Sequence, residues 1–221
     1  MVERKSTALG LLCALILAST PGLGQSMAPS VSVPVSVNAG LVLDAAGPQQ
    51  RKSLNAVYLI VCPKPTGASG GTRFLIDGGN IVTNAHVVDT CTEKTLIVIS
   101  STNVKIGFTR AIIDADRDLA ILVPSEKLSG GFKLAANDSP EPGTAVTTWG
   151  YPFVYDGVSP LLSVGYVAGF REENPHDKRV KHIVVNGAFN HGNSGGPLLV
   201  SRDDEVIGIV VLTFHFYPLE V

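Results

Sequence analysis

Gly192-Asn193-Ser194-Gly195-Gly196-Pro197 sets one serine among glycines, and the reading of this stretch decides the fold. A serine hydroxyl is a poor nucleophile until an imidazole takes its proton, and that imidazole must itself be oriented by a carboxylate. The glycines serve the other half of such chemistry, because backbone N–H groups converge on a developing oxyanion only where no side chains crowd the turn. Gly192 and Ser194 are the candidate donors. Upstream, Thr83-Asn84-Ala85-His86 supplies a histidine and Asp118-Leu119-Ala120 an aspartate, so the three residue types occur in the order His, Asp, Ser.

Each motif also has a plainer reading. A Gly-Ser-Gly-Gly run alone is a flexible turn, and His86 alone is a structural histidine at the end of the β-branched strand Ile81-Val82-Thr83. Asp118 has Asp114 and Asp116 as neighbours, and spaced acids in a loop are ordinarily solvated charges. Only Asp118 leads into the apolar run Leu119-Ala120-Ile121-Leu122-Val123. It is expected at the buried start of a strand, with Asp116 as the alternative carboxylate. Gly192-Asn193-Ser194-Gly195-Gly196 also satisfies the G-x-S-x-G elbow of α/β-hydrolases. That fold needs its acid and histidine after the serine, and Asp203, Asp204 and His215 follow too closely for further βα units.

At these residues the chain resembles the trypsin-like (chymotrypsin-fold) serine proteases, and among them the bacterial HtrA-like group, over roughly residues 53 to 211. The resemblance implies His86 as general base, Asp118 as its orienting carboxylate, Ser194 as nucleophile, and Gly192 with Ser194 as the oxyanion hole. It implies protein or peptide substrates, no cofactor and no metal. It also sets the primary specificity pocket around Ala188, Phe189 and Val211, with Ala188 nearest the position that holds an aspartate in trypsin itself. No acid occupies that position, so a substrate Lys or Arg would be buried unpaired at a cost of roughly several kcal/mol, and small or aliphatic residues are favoured. In digestive members an aspartate directly before the serine pairs with a new α-amino group. Position 193 is asparagine, so no activating cut to a defined N-terminus is expected.

The composition is that of a turn-rich globular protein: 221 residues, 45% hydrophobic, 23 Gly, 14 Pro and a formal charge of −2. Nothing in it implies a nucleic-acid partner. Arg4-Lys5, the apolar run Ala8–Ala18 and small residues at Gly22 and Gly24 read as a secretory signal over residues 1–24, too short to span a bilayer. Export to the periplasm or beyond is therefore expected, with no membrane span left after cleavage. Cys13 would be discarded with the signal. Cys62 and Cys91 remain, an even number in an oxidising compartment, which reads as a disulfide; two buried thiols are the alternative.

Residues 25–52 read as a linker or edge segment, with Val31–Val37 alternating around Pro34. From Ala56 short β-like runs recur between turn signals: 56–61, 72–76, 80–83, 95–101, 104–113 and 118–123, then 145–150, 161–168, 179–186, 197–201 and 205–211. Helical periodicity is nearly absent. The expected fold is all-β, two antiparallel six-stranded-type β-barrels, with residues 53–131 in the first and 132–221 in the second. The second set is one strand short. Leu212–Val221 either supplies a shortened substitute through Phe214-His215-Phe216 or leaves the pocket open, and no room remains for the PDZ domain common in HtrA-like proteins. An uncovered 205–211 edge is a template for self-association. A catalytically weak binding protein on a protease scaffold, and an esterase or lipase, are the rival functions.

Overall fold

The computed structural model describes residues 39–64, 67–89, 91, 97–100, 105–136, 139–153 and 159–211. β-Branched and aromatic runs bounded by Gly, Pro, Asn and Asp form its strands. They are β1 (Val57–Lys64), β2 (Gly67–Leu75), β3 (Ile81–Thr83), β4 (Ile97–Ser100), β5 (Phe108–Asp114) and β6 (Leu119–Pro124), then β7 (Ala145–Gly150), β8 (Leu161–Glu173), β9 (Val180–Gly187), β10 (Pro197–Val200) and β11 (Val206–Ile209). Each overlaps a run expected from the sequence, although β1 runs on to Lys64 and β2 begins at Gly67, five residues before its expected run. The first sheet has 6 strands in the order β4-β1-β2-β3-β6-β5 and the second 5 in the order β11-β10-β7-β8-β9. All ladders are antiparallel. One of the two sheets curls as a half-barrel, giving the all-β, double-barrel arrangement. Among the described residues no ladder joins β4 to β5, and β11 is an edge of its sheet. Leu212–Val221 lies outside the described residues, as do the expected signal and the 31–37 segment.

The apolar side chains that these strands alternate inward make the core. Leu54, Val57, Phe74, Leu75, Ile81 and Leu122 cluster with Trp149 and Leu199 of the second sheet and with Tyr151 just after β7. Val146, Val167, Leu198, Ile207 and Val210 form a second cluster, with Ile183, Val185 and Phe189 against it. All three residues of β3 are buried. His86 thus follows a strand held on both faces.

Three further elements depart from the sequence reading. Much of the expected linker is helical: α1 (Ala39–Ala45) and α2 (Pro48–Ala56). α2 starts with proline at its first turn, where the missing N–H costs nothing. It buries only Ser53, Leu54 and Ala56, too few for a visible helical period. Its stability is tertiary, since Gln49 Nε2 and Ser53 Oγ both donate to Asp204 Oδ2, each at 3.1 Å. β8 also runs beyond the expected end at Ala168, through a bulge between Val167 and Gly169.

Candidate active site

The turn after β3 is a short helix, α3 (Ala85–Val88), and it meets the turn before β6. Asp118 takes a positive φ of 49° there, a left-handed conformation that Asp tolerates better than most residues. All three of its oxygens are engaged by residues 84–86. Its carbonyl accepts Asn84 Nδ2 at 3.0 Å and the Ala85 N–H at 3.1 Å. Its carboxylate accepts the His86 backbone N–H at 2.9 Å and meets His86 Nδ1 at 2.7 Å. An ionised carboxylate only accepts, so Nδ1 carries the proton and Nε2 of the neutral ring is left as the acceptor. The hydrogen bond to Asp118 raises the His86 pKa above its ordinary 6.5, against an opposing effect of burial. Asp118 stands in the turn just before β6, with its side chain 29% exposed. This corrects the expected buried strand start: the acid is only partly shielded, because His86 itself is open to solvent.

The three acids of Asp114-Ala115-Asp116-Arg117-Asp118 have three destinations. Asp114 pairs with Arg117 inside the turn. Asp116 reaches the β8–β9 hairpin, meeting His176 Nδ1 at 2.8 Å and Lys178 Nζ. Lys178 foremost, and His176, hold the Asp116 carboxyl below the usual range. Only Asp118 meets His86.

The serine loop is shaped by where its carbonyls go. His191 O accepts the Phe153 N–H at 2.9 Å, Gly192 O accepts Thr72 Oγ1 at 2.6 Å, Asn193 O accepts the Gly196 N–H at 2.9 Å, and Ser194 O accepts the Thr72 N–H at 2.9 Å. In a trans peptide N–H and C=O point opposite ways, so engaging the carbonyls of His191 and Asn193 turns the Gly192 and Ser194 N–H groups outward. Neither N–H has a partner among the described residues. Gly192 has φ +99°, and a Cβ there would lie 2.1 Å from Tyr151 O; Gly195 has φ +84°, and a Cβ there would lie 2.1 Å from Thr72 O. Both positions require glycine.

Ser194 and the histidine helix flank one strand. A Cβ at Gly71 of β2 would stand 3.0 Å from Ser194 O and 3.0 Å from Val87 Cγ1. Among the described residues Ser194 Oγ makes no hydrogen bond to His86; such bonds are often long in unliganded enzymes. Thr72 carries no motif signal, and sequence reasoning missed it. The adjacent Gly70-Gly71 was the available clue, because glycine inside a strand marks a close backbone approach.

Other expected residues divide. Cys62 and Cys91 are disulfide-linked, with Cα atoms 5.5 Å apart, tying β1 to the segment after α3. Phe189 and Val211 line a cavity of about 210 Å³ with Ile183, Val185, Leu198 and Val210. Ala188 is exposed and outside that lining. Asn193 is fully buried and donates Nδ2 to Ser163 Oγ at 3.3 Å. Among the described residues no group of three His, Cys, Asp or Glu is set to hold a metal, and no helix is long and apolar enough to cross a membrane.

Residues 71–209 match the trypsin-like peptidase domain. A probable periplasmic serine endoprotease, DegP-like, of Halomonas elongata is 32% identical over 156 residues, 66% of this chain and 32% of that protein. Serine protease HTRA1 of Xenopus tropicalis is 31% identical over 66% of this chain and 32% of its own. This chain thus spans about a third of the length of these curated relatives. Among solved structures, the active form of the Rv3671c protease from M. tuberculosis superposes with a TM-score of 0.61 at 22% identity, covering 85% of this chain and 82% of that one. The HtrA-type protease AlgW S227A with a tripeptide gives 0.59 at 22% identity, covering 78% and 54%. These two share the fold. With the domain match spanning most of the described residues, the chain belongs to the trypsin-like peptidase family, and the relatives it matches are HtrA- and DegP-type serine proteases.

Proposed function

We propose that this chain is a serine endopeptidase that hydrolyses peptide bonds through His86, Asp118 and Ser194 and an acyl-enzyme intermediate. The observation that carries the reading is the His86 Nδ1–Asp118 Oδ2 contact of 2.7 Å, which leaves Nε2 as a base on the side away from the carboxylate. Ser194 Oγ attacks the scissile carbonyl and passes its proton to His86 Nε2, while Asp118 stabilises the imidazolium. The carbonyl oxygen, now an anion, receives the Gly192 and Ser194 N–H groups. Collapse of the adduct returns the proton to the leaving amine, and water releases the acyl group by the same steps in reverse.

The cavity beside Phe189 and Val211 favours small or aliphatic residues over Lys and Arg, since its lining holds no carboxylate. Asn193 cannot form the ion pair of a cleavage-activated member, so the site needs no activating cut. Export directed by residues 1–24 fits the disulfide and the periplasmic relatives. The barrels divide at about residues 131 and 132, and the β11 edge is the surface for self-association. The unmade Ser194–His86 hydrogen bond is the one observation on the side of a catalytically weak, substrate-binding protein.

Casein hydrolysis by the purified chain separates the readings. Ser194→Ala and His86→Ala are each expected to remove at least ~10³-fold of the rate, and the double variant little more, because the residues act as a unit. Additive losses, or hydrolysis that survives Ser194→Ala, count against the triad.

A further inference from the structure

We infer that Thr72 is a positioning residue for the oxyanion loop, acting through the hydroxyl that ties Gly192 to the two sheets. The inference rests on the serine peptidase reading. Thr72 is fully buried, and its side chain is satisfied by groups distant in sequence: Oγ1 donates to Gly192 O at 2.6 Å and accepts the Tyr151 N–H at 3.0 Å. Its main chain donates to Ser194 O at 2.9 Å and accepts Thr83 Oγ1 at 2.8 Å. One residue of β2 therefore touches the end of the strand that leads to His86, the segment after β7, and two carbonyls of the serine loop.

The plane that carries the Ser194 N–H lies between two peptide planes, each pinned at both ends. Plane 192–193 is held by Gly192 O on Thr72 Oγ1 and by Asn193 N–H on Asn190 O. Plane 194–195 is held by Ser194 O on Thr72 N–H and by Gly195 N–H on Val210 O. The main-chain link survives any substitution except proline; the hydroxyl link does not. Without it Gly192, already at φ +99° and free of side-chain constraint, can rotate, and the two donors lose their common aim. Ground-state binding in the cavity beside Phe189 does not depend on that aim. The hydroxyl should therefore weigh on kcat and not on KM.

Thr72→Val keeps the shape and the N–H and deletes the hydroxyl. The expected result is a fall in kcat of about 10- to 100-fold, smaller than outright loss of an oxyanion donor, with KM within about twofold. A peptide boronate, whose tetrahedral adduct needs the hole, should weaken by the same factor, while a product peptide binds as before. Thr72→Ser should stay within about threefold of the parent, because the hydroxyl is retained. An unchanged kcat in folded Thr72→Val overturns the inference, as does a loss that Thr72→Ser reproduces. If Thr72→Val does not fold, Thr72→Cys replaces the hydroxyl by a weak donor, and a full kcat in that variant overturns the inference too. A parent chain with no Ser194-dependent hydrolysis removes the peptidase reading and this inference together; Ser194-dependent hydrolysis indifferent to the hydroxyl removes this inference alone.

Discussion

Asp118→Asn exchanges one carboxylate oxygen for an amide N–H where the structure has two acceptors. The His86 backbone N–H, at 2.9 Å from Oδ1, still needs an oxygen, so the amide nitrogen faces His86 Nδ1 in place of Oδ2. Nδ1 then becomes the acceptor and the ring proton moves to Nε2, the atom that should receive the serine proton. In the best-studied triad this tautomer error costs about 10⁴ in kcat, which is about 5.4 kcal/mol of barrier. The largest cause of the raised His86 pKa is also lost. In the parent, activity falls as pH drops through that raised pKa and the base protonates; in the variant this acid limb moves to lower pH. A group whose folded pKa lies above its unfolded value stabilises the fold fully below the unfolded value, and the contribution disappears as pH rises through the folded pKa. Asp118→Asn should accordingly lower the melting temperature more at pH 5 than at pH 8.5. kcat against pH on a peptide ester, with melting curves at the two pH values, reads all three effects. A kcat within tenfold of the parent, or an acid limb that stays in place, refutes the reasoning.

Asp116→Asn and Asp114→Asn should each leave casein hydrolysis near the parent rate, because their partners are Lys178 with His176 and Arg117; a severe loss in Asp116→Asn would move the catalytic carboxylate. Gly195→Ala puts a Cβ 2.1 Å from Thr72 O at φ +84°, so activity should fall at least ~10²-fold and melting temperature should drop, and a variant that keeps both contradicts the described loop. Reducing Cys62–Cys91, which closes a separation of 29 residues, should cost about 3 to 4 kcal/mol in denaturant unfolding; peptide mapping that finds both as free thiols in exported protein would show that the bond is not made.

The strands were legible because β-branched and aromatic runs alternate between turn residues, a local signal that survives in any tertiary setting. The serine loop was legible for a similar reason: positive φ at Gly192 and Gly195 can be met at low cost only by glycine. α2 was not, since Pro48-Gln49-Gln50-Arg51-Lys52 has no apolar stripe and the helix is held by Asp204, far along the chain. Asp118 was read by its apolar neighbours, which overstated its burial, since its side chain is 29% exposed. Thr72 escaped because its meaning exists only where Tyr151, Gly192 and Ser194 converge on it.

If Ser194 is a nucleophile activated by His86, a fluorophosphonate labels it covalently. One equivalent of adduct is expected, found by peptide mapping on Ser194 alone, absent from Ser194→Ala and nearly absent from His86→Ala. Casein hydrolysis that continues with Ser194 unlabelled, or an adduct that forms equally well in His86→Ala, would contradict it.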